Sequence, residues 1–294
     1  MQWDKISIIG AGLLGGSLGL AIQQRKVASS VYAYVRRPES IAECEQVRAA
    51  TKATLDLGEA VKDSSLVIIC TPLAQMRDLA EKIRPHLKRG TIVTDVGSVK
   101  ESVVRDLEPI FASIGCHFVG SHPMAGSEKT GVKAARAELF ENAVCLVTPT
   151  QRSDADAVCT VQNFWKAIGA QAIRLSPELH DDLVSRSSHL PHVVAAELAN
   201  YVLSPVHPKE QSLVCATGFR DTTRIAASSP EMWRDISLAN RKNLMRVLGV
   251  FIEDLQEFQH ALERQDKSAI EEFFANAKTR REQWHNRGAG ASPE

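Results

Sequence analysis

The sequence predicts an α/β protein, with an N-terminal doubly wound, mostly parallel sheet over residues 1–175 and a C-terminal all-helical domain over residues 176–294. Three observations carry this. Short β-branched apolar runs alternate with helix-period stretches as far as Leu175, the pattern of strands buried on both faces between crossover helices. A glycine cluster, Gly10, Gly12 and Gly15, stands between the first run and the first helical stretch. From Ser176 onward the strand runs stop and long helix-period segments replace them.

In chain order the strand runs are "KISIIG" (5–10), "VYAYV" (31–35), "LVIIC" (66–70), "TIVTD" (91–95), "HFVG" (117–120), "AVCLV" (143–147) and "AIRL" (172–175). Helical stretches lie between them at 13–25, 74–87, 99–114 and 154–168. Beyond the sheet, "SPELHDDLVSRSSHLPHVVAAELANYVL", a segment running from "SPEMWRD" to "ALERQD", and "SAIEEFFANAKTRREQW" each read as a long helix. Ser-Pro-Glu at 176–178 and again at 229–231 supplies a cap serine and a first-turn proline.

Composition narrows the function classes. A chain of 294 residues that is 44% hydrophobic and 24% charged can bury a large core and divides naturally into two domains. Thirty-five Lys and Arg balance 35 Asp and Glu, so no net field recruits nucleic acid or an acidic membrane, and small-molecule chemistry is the expectation. The six cysteines are scattered without a C-x-x-C pair, which points to a reducing, cytoplasmic setting and away from structural zinc. "ISIIGAGLLGGSLGLAI" is apolar enough for a signal peptide, but its five glycines fit a strand–turn–helix better.

Gly10, Gly12 and Gly15 form G-x-G-x-x-G, with Gly16 in addition. The first glycine permits a tight turn, the second lets the backbone approach a pyrophosphate, and the third lets helix and strand pack closely. Leu13 and Leu14 open the following helix, whose N-terminal amides and dipole suit a diphosphate. At the end of the second run, NAD sites usually place an acid for the adenosine ribose. Here Val35 is followed by Arg36 and Arg37, which can pair with a 2′-phosphate, so NADP is favoured over NAD. The alternative is a solvated basic loop ahead of Pro38.

"CTPLAQ" follows the third run and "DVGSVK" the fourth. Residues just past the carboxyl ends of parallel strands face the ligand crevice, which puts Thr71, Pro72, Gly97 and Ser98 on the nicotinamide side; turn and cap chemistry is the plainer reading. "GSHPMAGSEKTG" (120–131) follows the fifth run without helical or strand periodicity, so His122 reads as a loop histidine on the same rim. An imidazole there can accept the proton of a substrate hydroxyl while hydride leaves the same carbon. His189 and His192 stand three apart on one helix face, but only "HDD" (180–182) offers a further ligand nearby, and no metal is expected. In "GFRDTTRIAASSPEMWRDI" (218–236), Arg224 is a candidate clamp for a carboxylate.

Taken together, "GAGLLGGSLGLA", "CTPL", "DVGSVK", "GSHPMAGSEKTG", "SPELHD", "SHLPHVVA" and "GFRDTTRIAASSPEMWRDI" resemble the prephenate dehydrogenase family, the prephenate, arogenate and cyclohexadienyl dehydrogenases of tyrosine biosynthesis, from about Lys5 to Trp284. The resemblance implies a nucleotide-binding domain, a helical domain that builds a homodimer, and an active site in the cleft between them. It implies hydride loss from C4 of prephenate coupled to departure of CO2, giving 4-hydroxyphenylpyruvate. In the matching roles, His122 would accept the C4 hydroxyl proton and Ser98 would orient hydroxyl and imidazole. Arg224 would hold a substrate carboxylate, Glu128 would stand at the entrance, and His192, with His189 on its helix face, would contact the side-chain end.

The chain departs from many relatives at Val35-Arg36-Arg37, where they keep an acid. An arogenate pocket should supply an anion for the ammonium group, and His192 is not acidic, which leans towards prephenate, although Asp181 or Asp182 could reach in. Arogenate or dual specificity is the alternative, and a catalytically silent NADP-binding sensor a remote one. A dehydrogenase of the β-hydroxyacid type would need a lysine acid/base in the helical domain, and 176–200 holds none.

Overall fold

The computed structural model describes residues 3–127 and 129–288. Every apolar run forms a strand, and one strand appears that periodicity did not show. The strands are β1 (Trp3–Ile9), β2 (Ala28–Tyr34), β3 (Lys52–Thr54), β4 (Leu66–Ile69), β5 (Ile92–Asp95), β6 (His117–Pro123), β7 (Val144–Thr148) and β8 (Gln171–Arg174). They make one sheet in the order β3-β2-β1-β4-β5-β6-β7-β8. All neighbours are parallel except β6 and β7, which run antiparallel. With three residues, β3 is too short to carry a pattern; it exists because β2 offers it an edge, with Ala33 opposite Ala53.

The helices are α1 (Leu13–Gln24), α2 (Glu39–Gln46), α3 (Leu57–Val61), α4 (Leu73–Ile83), α5 (Glu101–Ala112), α6 (Ala155–Ala167), α7 (Pro177–Val184), α8 (Leu190–Val202), α9 (Thr217–Thr223), α10 (Pro230–Ala239), α11 (Arg241–Glu263) and α12 (Lys267–Gly288). Strand alternation sorts the core into two layers. Ile6, Ile8, Leu66 and Ile68 face one cluster with Leu18, Ile22, Phe164 and Trp165. Ile9, Val67 and Ile69 face the other, with Leu79, Ile83, Leu107 and Phe111. Burial on both faces is why the central runs are apolar throughout. The order reverses between β1 and β4, so a crevice opens beyond the carboxyl ends of these strands.

Contacts gather Met1–Arg241 into one compact unit and Lys242–Glu294 into a second. Within the first unit, Ser176 and Ser229 cap α7 and α10 by accepting from the amides of Leu179 and Met232. The run from Pro177 to Val202 is interrupted by a π-helical turn at Ser185–His189, and the long helix expected from 229 breaks at Asn240, between α10 and α11. Helix α5 lacks a cap of its own. Asp181, from α7, supplies it, one carboxylate oxygen accepting from Lys100 N (2.7 Å) and the other from Glu101 N (3.0 Å). Among the described residues no helix is long and apolar enough to cross a membrane.

Candidate active site

The glycine turn has the geometry the motif requires. Gly10 adopts φ 101, the left-handed region open to glycine, and a Cβ on Gly15 would lie 2.0 Å from the Gly10 carbonyl oxygen. At Gly12 a Cβ would meet nothing within 4 Å, so the turn presents bare backbone to open space. Gly12 makes no side-chain cap to α1, whose first amides stay available to an anion. Thr71, past β4, has its hydroxyl oxygen buried without a hydrogen-bond partner among the described residues. A bare glycine turn, an uncapped helix start and an orphan hydroxyl at one strand-end crevice fit a dinucleotide. Pro72 lies exposed at the head of α4. Val35 is buried, while Arg36 and Arg37 project beyond β2 next to the turn, where Gly10 N donates to the Tyr34 carbonyl. Arg37 lies 3.6 Å from Glu39, and both are well exposed.

Beside this crevice lies a buried charged network. Asp95, the last residue of β5, pairs with Lys100, and both side chains are fully buried. Asp95 also accepts from Gly97 N (2.8 Å) and Ser121 N (3.1 Å), and Lys100 Nζ donates to the Ser121 carbonyl (3.0 Å). The "DVGSVK" turn is thus folded round its own ion pair, with Gly97 buried in its bend and Ser98 half-buried at its apex. Ser121 Oγ donates to the Asp95 carbonyl (2.6 Å) and accepts from the Trp165 indole (3.0 Å), locking β6 to β5.

His122 follows Ser121 and is part of β6, not of a loop. β6 runs on to Pro123 because β7 returns antiparallel and pairs His122 with Leu146 and Pro123 with Cys145; proline is tolerated there because the ladder with β5 ends at Val119, which makes this stretch of β6 an edge. His122 is 8% exposed. Its Nδ1 lies 2.9 Å from His180 Nε2, and His180 Nδ1 lies 2.8 Å from Asp181 Oδ1, the carboxylate that caps α5. Residues distant in sequence therefore form one chain from α5 to the imidazole.

His189 is fully buried at the end of the π-helical turn, and the Asn240 amide nitrogen, 3.1 Å from His189 Nδ1, also donates to the Asp181 carbonyl (2.8 Å). His192 is half-buried and stacks on Trp233 with ring centroids 3.8 Å apart. The Trp233 indole nitrogen is buried and unpartnered among the described residues. Arg224 begins a 3-10 turn, Arg224–Ala227, that packs on α8; burial lowers the His192 pKa, the Ser188 carbonyl opposes this, and the nearby Arg224 charge adds to the lowering. The structure thus joins His122 to its strand-end neighbours and groups Arg224, His192 and Trp233. Glu128 lies outside the described residues. Sequence reading missed Lys100, Asn240 and the partnership of His180 with His122; the "HDD" string was the available signal, read as a possible metal ligand.

Burial sets the protonation of the histidines. It drives His122 well below the usual range, helped by His180, Lys100 and His189. It pushes His180 down to about 2 and His189 to about 4, the nearby Asp181 opposing it at His189. Asp95 and Asp181 are raised by burial, against Lys100 and the amides they accept from.

Known proteins resemble this chain along most of its length. The family described as "Prephenate dehydrogenase, nucleotide-binding domain" matches residues 18–174, and "Prephenate dehydrogenase, dimerization domain" matches residues 176–276. The chain is 35% identical to a prephenate dehydrogenase of Bacillus subtilis, over 99% of this chain and 78% of that one. It is equally 35% identical to a cyclohexadienyl dehydrogenase of Zymomonas mobilis, over 95% of both. The crystal structure of a prephenate dehydrogenase from Aquifex aeolicus, in complex with hydroxyphenyl propionate and NAD+, superposes with a TM-score of 0.88 at 32% identity, covering 96% of this chain and 98% of that one.

The depressed histidines predict acid lability. A histidine whose folded pKa lies below its unfolded value of 6.5 leaves the unfolded chain binding more protons, so stability is lost as pH falls below about 6.5. His189 should contribute a slope of about 1 kcal/mol per pH unit from there towards pH 4. Urea unfolding between pH 7 and pH 5 should show a slope in the wild type that His189→Gln reduces by about this amount, the other depressed histidines contributing to both. Equal slopes would mean that His189 takes up protons in the folded protein as readily as in the unfolded chain.

Proposed function

The chain belongs to the prephenate dehydrogenase family and is an NAD(P)-dependent oxidoreductase, and on that premise we propose that His122 is the group that serves the reacting hydroxyl of prephenate. Supporting this is one observation above the others: an imidazole held neutral by burial, on the strand next to β5, at the crevice that fits a dinucleotide. A bound nicotinamide supplies the hydride acceptor.

As hydride leaves C4, the carbon becomes electron-poor and its hydroxyl more acidic. A neutral imidazole accepts that hydrogen bond and disperses the positive charge. The electron pair of the bond from C1 to its carboxylate moves into the ring, CO2 departs, and the proton ends on the oxygen of the new phenol. Ser98 orients hydroxyl and imidazole, so that little alignment is left to chance. Arg224 takes a carboxylate, and His192 with the Trp233 indole N–H serves the side-chain end. Glu128 is assigned to the entrance from the family pattern. Asp181 has its oxygens engaged by Lys100 N, Glu101 N and His180, and Asp182 is paired with Arg186. Neither offers a spare anion to an ammonium group, which favours prephenate over arogenate. Residues 1–175 are taken as the dinucleotide-binding domain and 176–294 as the helical domain, which binds substrate and forms a cytoplasmic homodimer.

His122→Asn should lower kcat with prephenate by at least about a hundredfold, the usual contribution of a positioned acid/base group, with cofactor affinity nearly unchanged. Near-normal turnover would remove His122 from the chemistry. Arg224→Ala should chiefly raise KM for prephenate, by the equivalent of about 2–5 kcal/mol for truncating one partner of a charged hydrogen bond. An unchanged KM with early melting would assign Arg224 to structure instead.

The exposed Arg36 and Arg37, with no acid at the strand end, favour NADP. NADP should show the higher kcat/KM, and because these charges are solvent-exposed the preference should weaken with salt. Val35→Asp with Arg36→Ala should reverse it. Wild-type turnover of NAD at least equal to NADP at physiological ionic strength would reduce the two arginines to a solvated loop.

A further inference from the structure

We propose that His180 and Asp181 are positioning residues that fix the tautomer of His122, keeping its Nδ1 protonated and leaving its Nε2 lone pair for the reacting hydroxyl. The inference rests on the reading of His122 given above, and each step follows from counting donors and acceptors. Asp181 takes a backbone N–H on each carboxylate oxygen, from Lys100 and Glu101. Those two N–H donors and the Lys100 charge favour the ionised form against the burial that opposes it, and an ionised carboxylate can only accept, so His180 Nδ1, 2.8 Å from Oδ1, carries the proton of that bond. A neutral imidazole has one donor and one acceptor, so His180 Nε2 is a lone pair. It lies 2.9 Å from His122 Nδ1, and two lone pairs cannot share that distance; His122 Nδ1 is the donor. The other nitrogen of His122 is then unprotonated.

The opposite tautomer would place an N–H against the substrate hydroxyl, and the acceptor would become a donor. The surroundings favour the arrangement. Lys100, paired with Asp95, sits beneath Ser121, and neither His180 nor His189 carries charge near neutral pH, so nothing nearby supplies a second proton to the ring. The position of His180 is itself determined by the Ser176 cap at the head of α7 and by Asn240, which holds the Asp181 carbonyl. A carboxylate acting through an imidazole to select its tautomer is established chemistry, and removing such a carboxylate costs about 10⁴ in kcat in serine proteases. Here a second imidazole transmits the effect.

Long-range 1H–15N correlation spectra of the full-length protein labelled with 15N-histidine read the tautomer directly, without turnover, with His122→Asn identifying the His122 signals. The expected result is a protonated Nδ1 and an unprotonated Nε2 on His122. A protonated Nε2 would overturn the proposal whatever the kinetics. Among variants, His180→Phe removes the acceptor and should lower kcat by about 10²–10³-fold, on the scale of a positioned acid/base, with a mixed His122 tautomer. His180→Gln keeps an acceptor oxygen near the lost Nε2 and should recover kcat to within about tenfold of wild type on the same reasoning. Equal losses in both variants, with His122 still protonated at Nδ1, would make His180 a packing residue and reject the proposal. Undiminished turnover by His122→Asn, by contrast, would reject the catalytic reading of His122 and leave the tautomer assignment standing.

Discussion

The buried pair of Asp95 and Lys100 is the constraint on which the rest of the site depends. Two opposite charges without solvent exposure are costly unless every remaining hydrogen-bonding position is filled. Here the fillers are the parts that build the site. Gly97 N on Asp95 shapes the turn that carries Ser98; Ser121, bound to both partners, places His122 one residue later. The carboxylate that takes the Lys100 amide, Asp181, belongs to the helix that also carries His180. Removing either charge would leave the other buried and unpaired, and several surfaces of the site would lose their reference together.

The same burial suits the role proposed for His122. An acceptor at a developing cationic carbon has to be neutral at working pH, and an imidazole near its free pKa would be partly charged. Desolvation, with Lys100 and the other histidines nearby, holds His122 neutral. The environment that suits the proposed reaction therefore opposes stability in acid, because three buried rings resist the protons that the unfolded chain would accept. Irregular backbone serves the same end. The π-helical turn at Ser185–His189 lies in the run that bears His180, His189 and His192, and such turns, rare overall, occur frequently at functional sites.

The sequence by itself determined the alternation of strands and helices, the glycine turn with its uncapped helix, and the helix starts at Ser176 and Ser229. These are properties of neighbouring residues: a buried strand is apolar along its length, a tight turn needs glycine, and a cap serine acts three residues away. It also singled out His122, Ser98, Arg224 and His192 by motif. Only the tertiary structure decided that His122 is a strand residue, because the extension of β6 depends on β7 returning from residues 144–148. Only the tertiary structure made "HDD", which the sequence offered as no more than a weak metal-ligand candidate, a helix cap and a hydrogen-bonded neighbour of His122, since the contacts from Asp181 to Lys100 and from His180 to His122 span 81 and 58 residues. Nor could a lone lysine in "GSVK" announce that it would be fully buried. Periodicity and motif report geometry within a few residues, whereas the partner of a buried polar group is whichever chain segment the packed core brings to it.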